Sequence, residues 1–228
     1  MRKTILVGGE FYHIYNRGVD KREIVSDIYD ANRFVTAMIE FNTIEPIGSI
    51  YNVTSKRKNG EQNNRKPKTN KLVEVVCYCL NPNHFHFVLK QVADEGISKF
   101  MHRLSTGHTK YYNEKYERTG ALFQGSFKAK YIAGNDYLLH LSAYVNLNNK
   151  LHHISGDKES LVRSSYNQYS GGKTALSVYY YNCDLDIVLG QFSNKKEYKI
   201  FANESIVETE RIRYGSKYVG DLLIDNNL

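Results

Sequence analysis

His84 and His86 stand two apart in the run Pro82-Asn83-His84-Phe85-His86-Phe87. In a strand, side chains alternate between faces, so both imidazoles point one way and Phe85 and Phe87 the other, into the core. Paired imidazoles on a rigid strand form a divalent-metal half-site. The preceding run, LVEVVCYCL (72–80), is strongly β-prone, and Asn81-Pro82-Asn83 makes a turn, so the two runs form a hairpin. A three-residue turn pairs Leu80 with His84 and Tyr78 with His86. Cys77 and Cys79 then join the phenylalanines in the core. A four-residue turn would instead put the cysteines beside the histidines as a Cys2His2 zinc site. Asn-Pro-Asn favours the shorter turn, which reads the cysteines as core residues and keeps a zinc-stabilised interaction module as an alternative.

A partner for the half-site is offered by the helix expected from Asp136 onward. Its His140, Tyr144 and Asn148 are spaced by four and share one face, beside an apolar face of Leu138, Leu141 and Val145. A phenol there suits nucleophilic chemistry near a metal.

These groups must be held by a chain of 228 residues, enough for one sizeable core and an appendage. The net charge of +7 is concentrated. Residues 54–71 hold seven Lys or Arg against one Glu, a polar loop that suits a basic arm on a phosphate backbone. Between 103 and 130, Arg103, Lys110, Lys115, Arg118, Lys128 and Lys130 outnumber Glu114 and Glu117, with Tyr111, Tyr112, Tyr116 and Phe127 interleaved. Cations with aromatics suit single-stranded nucleic acid. Arg17, beside Gly18, is placed to reach a phosphate. The 19 tyrosines, with no tryptophan, belong mostly to the core. Three cysteines form no secreted disulfide framework, no apolar run reaches membrane-spanning length, and MRKTILVGGEF is too short for a signal peptide. The expectation is a soluble, cytoplasmic protein with no membrane partner.

The elements expected are a strand over 9–16, a helix over 26–42, a strand over Ile47 to Val53, the hairpin, a helix from Gly96 to Tyr116, a strand over 122–132 and the Tyr144 helix. This β-α-β-β-α-β-α order predicts an α+β fold: a ferredoxin-like antiparallel sheet with helices on one face. Residues 1–170 form the catalytic domain in this reading, and 171–228 a C-terminal appendage of unknown role.

The ordered set Asn81–Leu89, Gly120–Phe127 and Tyr144-Val145-Asn146-Leu147-Asn148 resembles the single-tyrosine HUH transposases, in particular the REP-associated tyrosine transposases and their insertion-sequence relatives. Tyr12–Gly18 and Ser164-Ser165-Tyr166 resemble the same pattern, so the likeness spans about residues 9–170. It implies a divalent metal, Mg²⁺ or Mn²⁺, on His84, His86 and Asn148, with Tyr144 as nucleophile. It further implies cleavage and rejoining of single-stranded DNA or DNA hairpins through a 5′-phosphotyrosine, the site being assembled by one subunit or by a homodimer. Arg17, Arg103, Lys110, Gln124, Lys128 and Lys130 are the expected DNA-binding residues. The chain departs from the pattern twice, with Asn148-Asn149 where Asn-Pro is usual and Phe123-Gln124 for Trp-Gln. Without the proline the Tyr144 helix is expected to run further. A relative that has kept the fold and basic surface without turnover is the alternative from another class.

Overall fold

Strand β1 (Phe11–Arg17) alternates as its residue types demand, with Tyr12 and Ile14 in one core cluster and Phe11 packed against the other. The computed structural model describes residues 4–51, 70–172 and 180–215. Helix α1 (Ile28–Phe41) begins at an Asp27 cap in a reciprocal capping box with Asp30. Strands β2 (Val73–Leu80) and β3 (His84–Gln91) form the hairpin, followed by helix α2 (Gly96–Lys115) and strand β4 (Lys128–Tyr131). Helices α3 (Asn135–Asn146) and α4 (Asn148–Leu151), strand β5 (Arg163–Ser164), and helices α5 (Tyr166–Ser170), α6 (Asp186–Leu189) and α7 (Lys195–Gly215) complete the described chain.

The strands make one antiparallel sheet in the order β4-β1-β3-β2-β5, and the first four reproduce the split βαβ arrangement expected. One face is covered by α1 and α2. Phe34 and Met38 of α1 and Phe100 and Leu104 of α2 pack there on Ile14, Phe85 and Phe87. The other face is also covered: Leu138, Leu141 and Val145 of α3 lie over Cys77, Cys79 and Val88, joined by Tyr169, Tyr198 and Ala202. The sheet is therefore sandwiched, with the two helices of the split motif on one side and α3 with the C-terminal helices on the other.

The hairpin register differs from the expected one. Cys79 pairs with His86 and Leu80 with Phe85, and Asn81 N–H donates to the His84 carbonyl at 2.8 Å. The turn is the longer one, so Cys77 and Cys79 share the histidine face, not the phenylalanine face. A β-bulge between Val75 and Cys77 lets Val75 and Tyr78 both reach the first cluster while the small thiols lie under α3. Side-chain volume accounts for the choice, since Tyr78 and Leu80 fill the larger core.

Three smaller expectations also shift. Residues 47–49 have no regular structure and 50–51 are helical, so no strand begins at Ile47; Val53 and residues 54–69 of the basic segment lie outside the described residues. The strand near 122–132 is confined to β4, with a single bridge between Gly18 and Phe123. Helix α3 ends at Asn146 despite the missing proline, because Leu147 (φ −110°, ψ 18°) departs from helical geometry before α4 begins.

His108 of α2 is fully buried, and its Nε2–H donates to the Ile24 carbonyl at 2.7 Å. Burial lowers its pKa to about 4. Above the unfolded value of 6.5 both states hold a neutral imidazole. Between 6.5 and about 4 only the unfolded chain takes up the proton, so stability falls as pH falls through that window. The expected loss is about 3 kcal/mol. Urea unfolding at pH 7.0 and 4.5 should show it in the wild type, and a His108→Gln variant should lose most of the difference.

Candidate functional site

The histidine face of the sheet is built from three adjacent strands. On β1, His13, Tyr15 and Arg17 share a face, and their register partners on β3 are Val88, His86 and His84. On β4, Lys128 lies opposite Tyr15 and Lys130 opposite His13. Strand alternation thus sets three imidazoles and three cations on one surface, beneath α3 and α4.

His84 and His86 are both buried, at 5% and 0% exposure. Their surroundings fix which nitrogen each can offer. The Nδ1 of His84 lies 2.6 Å from Asn83 Oδ1, and Asn83 Nδ2 donates in turn to the Lys21 carbonyl. That second bond orients the amide, so His84 Nδ1 carries hydrogen and Nε2 presents a lone pair. The Nδ1 of His86 is 2.9 Å from His13 Nε2. Neighbours that occupy Nδ1 in this way orient imidazoles for metal binding.

Asn148 supplies the third group. Its Oδ1 lies 2.9 Å from His84 Nε2, and the Asn81 amide nitrogen donates to both atoms, at 2.7 and 2.8 Å. Donor atoms bound at right angles to a cation at about 2.1 Å stand about 3 Å apart, so this pair fits a common ion. The Nδ2 of Asn148 is buried with no hydrogen-bond partner among the described residues. Among the described residues no group of three or more His, Cys, Asp or Glu side chains could hold a metal.

Tyr144 lies on α3, and its ring meets the His86 ring edge-on, with centroids 5.6 Å apart at 90°. It is 8% exposed and its hydroxyl is buried. Tyr15 approaches the same imidazole from the strand side, stacked at 5.7 Å. The helix is held by a buried polar network: Asn146 Nδ2 donates to Tyr198 Oη at 2.8 Å, Ser142 Oγ and Tyr198 Oη lie 3.1 Å apart, and Ser165 Oγ donates to Asn146 Oδ1. These bonds flank Tyr144 on both sides along the helix.

Of the three groups spaced by four, two reach the histidine face and one does not. Tyr144 lies on His86 and Asn148 on His84, but the helix break at Leu147 separates them, and His140 Nδ1 meets Ser205 Oγ of α7 instead. Cys79 hydrogen-bonds Asn81 Oδ1 at 3.5 Å through its thiol. Burial pushes that thiol up to about 12 and Cys77 upward too.

Of the expected DNA-binding residues, Arg17, Gln124, Lys128 and Lys130 gather at this face. Arg17 Nε donates to Gln124 Oε1 at 2.5 Å. Arg103 and Lys110 do not join them. Both lie on α2, on the opposite face of the sheet, where Arg103 donates to the carbonyls of Thr43 and Ile44. Of the tyrosines interleaved with these cations, Tyr112 Oη lies 2.7 Å from Ser26 Oγ, and the other two are committed to Asp30. Tyr111, Tyr116 and Lys115 all donate to that buried carboxylate. Burial raises its pKa, but the bonds from Lys115, Ser26 and the two phenols outweigh burial and hold it below the usual carboxylate range.

Sequence reasoning passed over His13, although its position on the face of Phe11 and Tyr15 was legible. The missing step was the sheet order, which sets β1 next to β3. It also passed over Lys21, His152 and Lys158, brought to His84 by loops. The His152 ring lies 4.5 Å from that of His84.

Residues 53–148 match the family described as IS200-like transposases. Among solved structures, one of a REP-associated tyrosine transposase bound to a REP hairpin is similar, with 12% identity, a TM-score of 0.48, and coverage of 85% of this chain and 95% of that one. No curated protein matches the chain. Among the described residues no helix is long and apolar enough to cross a membrane.

Proposed function

We propose, for a chain whose residues 53–148 match the family described as IS200-like transposases, that it cleaves and rejoins single-stranded DNA through a tyrosine nucleophile. The observation that carries this reading is the meeting of Tyr144 with His86, and of His84 with Asn148, beneath α3 and α4. Tyr144 attacks phosphorus and forms a 5′-phosphotyrosine, and the 3′-hydroxyl leaves. The bond retains the phosphodiester energy, so a 3′-hydroxyl can attack it in turn and rejoin the strand without ATP.

His84 Nε2, His86 Nε2 and Asn148 Oδ1 would hold Mg²⁺ or Mn²⁺, which would supply charge neutralisation at the scissile phosphate. Nitrogen-rich ligation favours Mn²⁺ over Mg²⁺. Arg17, fixed by Gln124, and Lys128 and Lys130 bind the DNA backbone on the same face. The buried Tyr144 hydroxyl has to become accessible for attack, which makes a rotation of its ring or a movement of α3 part of the reaction.

The test is incubation of the full chain with Mn²⁺ and 5′- or 3′-labelled single-stranded and hairpin oligonucleotides. Expected is a protein–DNA adduct stable to denaturation, carrying the label from the 3′ side of the break, and abolished by EDTA. Specific DNA binding without any adduct would favour the non-catalytic relative instead.

A further inference from the structure

Beside the metal half-site the fold forms a cleft of about 400 Å³, with His84 in its lining. Its walls come from three segments: the end of β1 with the following turn (Arg17, Lys21, Glu23), the hairpin turn (Asn83), and the chain after α4 (His152, Lys158), with His84 at the edge. Arg17, Lys21 and Lys158 face one carboxylate, Glu23, which is paired to Lys158 at 2.9 Å. Positive charge therefore exceeds negative along the lining.

The cleft is held together by its own bonds. Gly18 N–H donates to the Asn83 carbonyl and Ile24 N–H to that of Pro82, while the Asn83 amide donates to Lys21. Asp20 and Lys21 sit at φ 53° and 60°, a left-handed conformation that is unfavourable for non-glycine residues. The surrounding bonds impose it, and it carries the Lys21 side chain on the cleft wall. Arg17 contributes a second pointer to a ligand. Its Nε is committed to Gln124, and its Nη1 is buried with no hydrogen-bond partner among the described residues. A buried guanidinium nitrogen without an acceptor is costly unless a bound group supplies one.

We infer that this cleft is a second phosphate subsite, taking the phosphodiester of the nucleotide next to the scissile one, with Arg17, Lys21 and Lys158 as its cationic groups. The inference rests on the DNA-processing reading above. Its volume suits a sugar-phosphate unit rather than a bare ion. Its position follows from register, since Arg17 stands directly opposite His84 on the neighbouring strand.

Lys21 and Lys158 are exposed, so a Lys21→Gln/Lys158→Gln double variant should fold normally, with a thermal midpoint near that of wild type. Fluorescence anisotropy with a single-stranded oligonucleotide across a salt series reads the subsite directly. The expected result is roughly tenfold weaker binding near 0.1 M salt and a log–log salt slope shallower by about 1, with Mn²⁺ affinity unchanged. Affinity and slope equal to wild type would overturn the subsite. An added arm replaces chloride by inorganic phosphate at equal ionic strength. Displacement of the oligonucleotide would assign the cleft to free phosphate and overturn the nucleotide assignment, whereas retention supports the phosphodiester. The two readings fail separately. A lysine-dependent slope without covalent adduct leaves the subsite standing and removes the catalysis; adduct with an unchanged slope does the reverse.

Discussion

Replacing Tyr144 by phenylalanine should abolish the covalent DNA adduct, a loss of about 10⁴-fold or more, as expected when a nucleophile is removed. DNA affinity should stay within about twofold, because the cations proposed to meet the backbone lie on β1 and β4 and in the adjoining loops, not on α3. The fold should persist as well. The ring keeps its edge contact with His86, and the bonds that anchor α3 pass through Ser142 and Asn146, not through the phenol. The informative control is Tyr15→Phe, because Tyr15 is the other tyrosine stacked on His86. It should retain the adduct. Adduct that survives in Tyr144→Phe and disappears in Tyr15→Phe would transfer the nucleophile to the strand.

Replacing His13 by leucine should weaken Mn²⁺ binding by about 10–100-fold, the usual consequence of losing a group that orients a ligating imidazole. His13 and His86 are fully buried, their rings are stacked 5.1 Å apart at 12°, and 2.9 Å separates His13 Nε2 from His86 Nδ1. A neutral His86 that ligates through Nε2 must carry its proton on Nδ1, and His13 Nε2 is then the acceptor. Leucine preserves bulk but cannot accept, so His86 is free to take the other tautomer and turn its lone pair away. Glutamine restores an acceptor and should recover much of the affinity. Manganese titration followed by the electron paramagnetic resonance of the free ion measures this without any need for turnover. Leucine and glutamine variants with wild-type affinity would show that the contact serves packing alone.

Several parts of this site were legible because they depend on short-range periodicity. The placement of His84 and His86 on one face, with Phe85 and Phe87 opposite, follows from the two-residue repeat of a strand and holds in any register. Helix α2 and the Asp27 cap of α1 were similarly local. The hairpin register was not, since a turn one residue longer moved Cys77 and Cys79 to the other face, and that choice was made by the bulk of Tyr78 and Leu80. Arg103 read as a DNA ligand because composition cannot show that it would meet the carbonyls of Thr43 and Ile44.

By itself, the order of amino acids determined the alternating strands, the amphipathic helices and the residue types available for metal and nucleophilic chemistry, because these arise from contacts between near neighbours. Only the tertiary structure decided that His13 meets His86, that Asn148 meets His84 after the helix breaks at Leu147, and that Lys21 and Lys158 line one cleft. Those pairings join residues 64 to 137 positions apart, some of them in loops whose course depends on the packed sheet beneath them. Their geometry is set by the close packing of two cores on opposite faces of one sheet.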